Sequence, residues 1–223
     1  LAHFAPANKD TALARNTWRI EWKESAGELG ARLSEHRLSA EGRKAAAELC
    51  SWQLVKHAEG DFRPQLAFAR DTDFASANDL FGLYANRREA TTALRKLVEA
   101  QKLCHHHTGL GTSKSGEACV GYKQRTCKGT CVGKESPSLH SARLMAALAK
   151  FKLSPWPYSG PVALVERDEF GMREDFHLVD QWRYLGSAHN DRQIEEILED
   201  RVDSAFDADI YRIVNKFLKA GKI

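Results

Sequence analysis

The segment Cys119–Ser136, "CVGYKQRTCKGTCVGKES", packs three cysteines into thirteen residues. Lys123, Arg125, Lys128 and Lys134 stand around them, with no acidic residue between Cys119 and Lys134. Three readings fit such a segment: a metal or cluster site, a disulfide knot, or a basic loop that holds cysteines. Cys104 lies just upstream, so four of the five cysteines fall within 28 residues, spaced C-x14-C-x7-C-x3-C, while Cys50 stands apart. In a cytosolic chain such a cluster points to metal binding rather than disulfides, because the compartment keeps thiols reduced. Thiolates are soft ligands that suit zinc and iron–sulfur clusters, both commonly held by four of them. Most structural zinc modules use two C-x2–4-C knuckles, and only the pair Cys127–Cys131 comes near that spacing. Wide, uneven spacing in one loop suits a cuboidal cluster, with Gly121, Gly129 and Gly133 letting the backbone wrap tightly. The residues alone leave zinc, a cluster and unligated thiols open.

The bulk numbers describe an ordinary globular chain. It has 223 residues, 43% hydrophobic and 28% charged, with a formal charge of +3. That composition excludes a disordered chain, and no stretch approaches the ~18 consecutive apolar residues of a membrane-spanning helix. No basic-then-apolar leader opens these residues, which makes the cytoplasm the expected compartment. The first residues, "LAHFAPANKD", read as the middle of a helix entering a loop, with the first element of a domain expected upstream.

The patterns predict an α+β protein in three parts. In residues 1–50, "TWRIEWKE" alternates Trp18, Ile20 and Trp22 against charged residues, the period of a half-buried strand. Ser25 and Glu28 form a capping box for a helix carrying Leu29, Leu33, Glu35 and His36, although Gly27 and Gly30 weaken it. Helix is expected to continue through 39–48 toward Cys50. In residues 51–153, "SWQLVKH" and "PQLAFAR" read as strands around a turn at Gly60–Asp61. A helix capped by Asn86 places Ala90, Leu94, Leu97 and Val98 on one face and delivers the chain to Cys104. Ser136–Pro137 opens another helix with Leu144, Leu148 and Phe151 on one side. In residues 154–223, "SPWPYSGP" is a linker. "PVALVER" and "FHLVDQWRYLG" pair as strands about Gly171, and two short helices close the chain.

The cysteine segment resembles that of the UvrC family of excision-repair nucleases, and more closely its shorter Cho-type relatives. Tyr122, Gln124, Arg125, Cys127, Gly129 and Cys131 stand in the family's order, and "FGLYANRREATTALRKLVEAQKLC" resembles the helix that feeds the first ligand. The resemblance implies a [4Fe–4S] cluster, with zinc as the alternative, on Cys104, Cys119, Cys127 and Cys131. The first gap is slightly longer than in most of the family, as a loop insertion would make it. The amino-terminal piece resembles the second half of a GIY-YIG nuclease domain, and the resemblance implies that Glu35 is the catalytic carboxylate holding Mg2+. A hard divalent ion there neutralises phosphate charge while the carboxylate fixes it. No GIY or YIG sequence occurs in these residues; the motif Tyr and Arg would precede Leu1, and the stretch after Glu35 looks shortened.

Other signals are weaker. His105–His107 could ligate a metal, but with four thiolates available a solvated loop is expected. "GLGTSKSG" fails the phosphate-loop pattern at Ser113. Cys50 beside His57 reads as a buried apolar residue rather than a nucleophile. Glu195, Glu196, Glu199, Asp200, Asp203, Asp207 and Asp209 read as a solvated face. Arg87, Arg88, Arg95 and Lys96 on one helix, with Lys123, Arg125, Lys128 and Lys134 around the thiols, are the expected contacts to DNA phosphate; an ordinary solvated basic face is the alternative. Two functions follow from the resemblance. One is a metal-dependent repair endonuclease acting on damaged duplex DNA beside a UvrB-like partner. The other is a catalytically inactive iron–sulfur module that binds DNA or a repair partner.

Overall fold

A β-hairpin sets the first core. β1 (Cys50–Ala58) pairs antiparallel with β2 (Asp61–Phe68), and β3 (Leu80–Tyr84) joins the other edge of β1 to give the order β2-β1-β3. The structure, a computed structural model, describes residues 15–40, 48–58, 60–111, 116–200 and 205–221. The two-residue alternation of "SWQLVKH" and "PQLAFAR" thus forms the expected strands. β3 is an additional strand, short and interrupted by Gly82, that the pattern did not single out. α2 (Arg87–Ala100) follows, with the Asn86 side chain accepting the Glu89 N–H as its cap. Ala90, Leu94 and Val98 are buried, and they pack with Trp52, Phe81, Leu144 and Leu148 from β1, β3 and α4 (Pro137–Leu148) and with Leu103 just past α2. Ser136 caps α4 through the Leu139 N–H, with Pro137 in its first turn. Phe151 lies in a separate 3-10 turn and is exposed.

The second core joins the carboxy-terminal residues to Ala67, Phe74, Ala75, Leu80 and Leu153 of the middle part. β4 (Val162–Arg167), β5 (Glu174–Asp180) and β6 (Arg183–Ala188) form an antiparallel sheet in chain order. "FHLVDQWRYLG" is therefore two strands, not one, joined through Gln181 and Trp182. Both have positive φ, +49° and +61°, the twist that two-residue hairpins favour. Trp182 accepts that conformation because its ring is buried, edge-on to Trp156 at 5.1 Å and Tyr211 at 4.9 Å. Trp156 comes from the linker "SPWPYSGP", so that segment is pinned to the core. α5 (Asp191–Glu199) and α6 (Ala208–Ala220) are the two expected closing helices, and α6 buries Ile210, Tyr211, Val214 and Phe217.

The amino-terminal part departs from expectation. Residues 17–25 form no strand: Trp18 is 89% and Trp22 83% exposed. Alternation sorts side chains onto two faces, but a strand also needs a neighbour for its N–H and C=O groups. The described residues place no strand beside it. α1 (Glu28–Ala40) begins three residues after Ser25, whose hydroxyl donates to the Gly27 carbonyl. The cap is supplied from far along the chain, by Glu166. Leu29 and Leu33 are fully buried within the second core. The stretch 41–47 and the opening residues 1–14 lie outside the described residues. The whole is α+β, as expected.

Candidate metal centre

Cys104 sits just past the end of α2, and the other three thiols return to it within one compact turn. Cys119 caps the short α3 (Val120–Lys123), its Sγ accepting the Tyr122 N–H at 3.4 Å. Gly129 N–H points at Cys127 Sγ (3.3 Å) and Cys119 N–H at Cys131 Sγ (3.5 Å). Gly129 makes the sharp return between Cys127 and Cys131 at φ +93°, a conformation that L side chains rarely adopt. All four sulfurs are buried and lie within 4.8 Å of one another; Cys104 and Cys119 Sγ are 4.0 Å apart.

Glu135 and Arg143 hold this turn against the helices. Glu135, almost fully buried, accepts from Thr130 Oγ1 at 2.7 Å and from Arg143 on α4. Arg143 also donates to the carbonyls of Gln101 and Lys102, beside Cys104. One guanidinium therefore ties the segment holding Cys131 to the segment holding Cys104. The Cys104 N–H donates to Nε2 of the fully buried His140 at 3.0 Å. Burial of that ring pushes its pKa down to about 4, so it is the neutral acceptor the bond needs.

The thiols themselves are unequal. Burial pushes Cys104 up to about 11, and raises Cys127 far above an ordinary thiol. Burial also acts on Cys119, but the Tyr122 N–H and neighbouring thiols outweigh it and bring the group below its ordinary value. Buried thiols that resist ionising are stabilised as thiolates by a cation among them, which would release their protons on binding. The donor set therefore fits a soft metal centre. A single tetrahedral ion with ~2.3 Å bonds to sulfur spaces its ligands about 3.8 Å apart, close to the separations here. A cuboidal cluster seats each thiolate on a different iron and sets them wider apart.

The histidine triplet is not a solvated loop. His107 is buried with Nδ1 3.3 Å from Asp61 Oδ1, and His105 and His106 are half-buried; none joins the thiol cluster. The cause is the turn after Cys104, where Thr108 bonds back to the Cys104 carbonyl and folds the triplet onto β2. Cys50 is buried at the start of β1 and His57 lies seven residues away near its other end, about 23 Å at strand rise. The two form no nucleophile pair. Residues 112–115 of the glycine-rich stretch, and Asp203, lie outside the described residues. The rest of the acidic tail is largely exposed, except that Asp207 caps α6.

Glu35 projects from the exposed face of α1 and belongs to no group of convergent metal-ligating side chains among the described residues. Its neighbour His36 lies with Nε2 3.1 Å from Asp207 Oδ2. Arg87, Arg88 and Arg95 line one cleft of about 930 Å3 with Arg70, Thr91 and Thr92. None of the three α2 arginines makes a salt bridge among the described residues. Arg70 and Arg87 both lie over the Phe68 ring, at 4.9 and 5.7 Å. Sequence reasoning missed Arg70 because it lies beyond β2, and only the fold brings it to α2. Lys96 is exposed but does not line that cleft. Lys123, Arg125, Lys128 and Lys134 are exposed around the thiols and do not line it either. No helix among the described residues is long and apolar enough to cross a membrane.

An α+β protein whose middle part wraps four buried thiols, with three arginines lining a cleft on the helix that feeds them, narrows the comparison with known proteins. Residues 49–150 match the UvrC/Cho excinuclease middle domain, and residues 161–223 match the excinuclease Cho C-terminal domain. The chain is 34% identical to excinuclease Cho of Salmonella typhimurium over 229 aligned positions, covering all of this chain and 75% of that protein. It is equally identical to excinuclease Cho of Escherichia coli K12 over 219 positions, 95% of this chain and 71% of that protein. No solved structure matches the chain. The chain belongs to the UvrC/Cho excinuclease family.

Proposed function

We propose that this chain is part of a DNA-repair excinuclease that makes metal-dependent phosphodiester incisions in damaged duplex DNA during nucleotide excision repair. The observation that carries this reading is identity to Cho excinucleases along the whole chain. In it, residues 1–50 are the remainder of a GIY-YIG nuclease domain, residues 51–153 the cysteine module, and residues 154–223 a carboxy-terminal region. Glu35 holds Mg2+, which would neutralise phosphate charge; its exposure suits an ion that keeps several waters and takes one or two carboxylates plus substrate phosphate. Arg87, Arg88 and Arg95 grip the DNA backbone, with Lys123, Arg125, Lys128 and Lys134 as a second basic set. A UvrB-like protein is the proposed partner, and the cytoplasm the proposed compartment.

Cys104, Cys119, Cys127 and Cys131 would hold a [4Fe–4S] cluster, whose work here is to lock the loop to the end of α2. The 4.0 Å separation of Cys104 and Cys119 favours a second reading, a single zinc ion at the same site. Iron and zinc assays on anaerobically purified protein, with its visible absorption, separate the two: colourless protein with one zinc per chain removes the cluster. The isolation of Glu35 favours a second reading of the activity as well, a catalytically inactive module that binds DNA or a repair partner. A damaged duplex incubated with Mg2+ and the full-length encoded protein decides. Glu35→Gln should abolish incision, and equal cutting by both removes Glu35 from the mechanism. In either reading, Ala at 87, 88 and 95 together should lower the slope of log affinity against log salt by about 3, since each phosphate contact contributes about 0.9.

A further inference from the structure

The start of α1 is built in an uncommon way. A 13-residue helix is marginal by itself, and this one opens between two glycines. Its Leu29 and Gly30 N–H groups are answered from a distance. Glu166 on β4, 137 residues from Leu29, accepts the Leu29 N–H at Oε1 and the Gly30 N–H at Oε2, both at 2.9 Å. Asp175 on β5, 97% buried in its side chain, accepts the Ala26 N–H at 2.8 Å. Arg173 adds a bond to the Glu24 carbonyl at 2.9 Å. Two carboxylates thus meet the positive end of a helix whose own sequence supplies one acid in that turn.

The carboxylate of Glu166 is itself fixed from behind. It only accepts, so the 3.3 Å contact to His177 Nε2 requires the proton on that nitrogen. His177 is fully buried, and burial keeps its pKa low, so the ring is neutral and Nδ1 accepts the Ser187 hydroxyl at 2.7 Å. Tyr184 then donates to Ser187 at 2.5 Å. The chain Tyr184, Ser187, His177, Glu166 runs in one direction and ends on the helix.

The two glycines are what this approach requires. A Cβ at Gly27 would lie 2.4 Å from Glu166 Oε1, and one at Gly30 2.8 Å from His177 Cε1. Farther along α1, Leu33 is buried in the same core and His36 reaches Asp207 at the cap of α6. Leu29, Leu33 and His36 face inward, so Glu28, Arg32 and Glu35 face out. The angle at which Glu35 is presented is therefore set by β4, β5 and α6.

We propose that the carboxy-terminal sheet is the seat of the helix that carries Glu35, with Glu166 and Asp175 as positioning residues and His177 fixing Glu166. The clause about Glu35 rests on the nuclease reading above; the seat does not. It gives residues 161–223 a role in the incision site without contributing a ligand to it.

Hydrogen exchange of the full-length encoded protein tests the seat directly. In Glu166→Ala the Leu29 and Gly30 amides should exchange about 10-fold faster or more, the effect of losing charge-assisted bonds, while β5 amides keep their wild-type rates. Glu166→Gln, which retains an acceptor of the same shape, should fall between. In the incision assay, the Mg2+ concentration for half-maximal rate should rise in Glu166→Ala, because the helix that presents Glu35 loses its anchored start. Unchanged Leu29 and Gly30 exchange in both variants overturns the proposal. Slower incision at an unchanged Mg2+ requirement, which a loss of folded protein alone would give, overturns the clause about Glu35 and leaves the seat to the exchange rates. If wild-type protein does not cut DNA, the nuclease reading fails, and the exchange rates still decide the seat.

Discussion

The cysteine module and the amino-terminal helix solve the same problem, orphaned polar groups, in opposite ways. Between Cys104 and Arg143 the module supplies nearly everything itself. Its sulfurs receive N–H groups from residues two or three away or across one short loop, and its buried acid finds Thr130 and Arg143 close by in sequence. α1 supplies almost nothing. Its cap comes from Glu166 and Asp175 and its buried face lies against β4–β6 and α6. A locally complete site survives as a motif that can be read; a helix completed from a distance cannot be, and depends on the partner that completes it.

The comparison breaks most decisively at a ligand. With a metal held by four thiolates, Cys131→Ala should remove the ion and with it binding energy on the order of 10 kcal/mol that otherwise supports the fold. Metal content and thermal unfolding measure it, and full retention of metal would show that the module does not close on itself. Arg143→Ala should cost about 3 kcal/mol in denaturant unfolding, because the nearly buried Glu135 carboxylate is left without its cation. A loss below about 1 kcal/mol, the worth of an exposed pair, would mean that the two halves of the ligand set are joined by something else.

Acid should act on His177 in the seat of α1, and on His140 beside Cys104, before it reaches the module's ion pair. His177 is held below its ordinary value, first by burial, so below about pH 6.5 the unfolded chain binds a proton that the folded chain does not. Stability therefore falls as pH drops through that region. Asp175 is also held low: burial opposes this, but the Ala26 N–H, Arg173 and His189 outweigh it. Its contribution is complete above about pH 3.9 and is lost as the pH falls further. Unfolding free energy measured between pH 7 and 5 should slope less in His177→Gln than in wild type, and equal slopes would remove His177 from the seat. The smallest effect belongs to the exposed strip. Trp22→Ala should change stability by no more than about 0.5 kcal/mol, and a larger loss would mean that this ring is covered in the folded protein.

By itself, the sequence determined the elements whose signals are local. The β1–β2 hairpin, α2 with its Asn86 cap and α4 with Ser136–Pro137 all follow from neighbours within a few residues, where spacing and side-chain chemistry decide geometry; the cysteine cluster was visible as a grouping, and the resemblance to a family implied its ligand role. Tertiary structure alone decided where "TWRIEWKE" does not pair, why Gly27 and Gly30 stand at the start of a helix, and how the histidine triplet folds onto Asp61. The physical reason is the range of the bond that must be satisfied. An N–H answered two residues away leaves its mark in the spacing, whereas the N–H groups of Leu29 and Gly30 are answered by a carboxylate 137 and 136 residues distant, which no local pattern encodes.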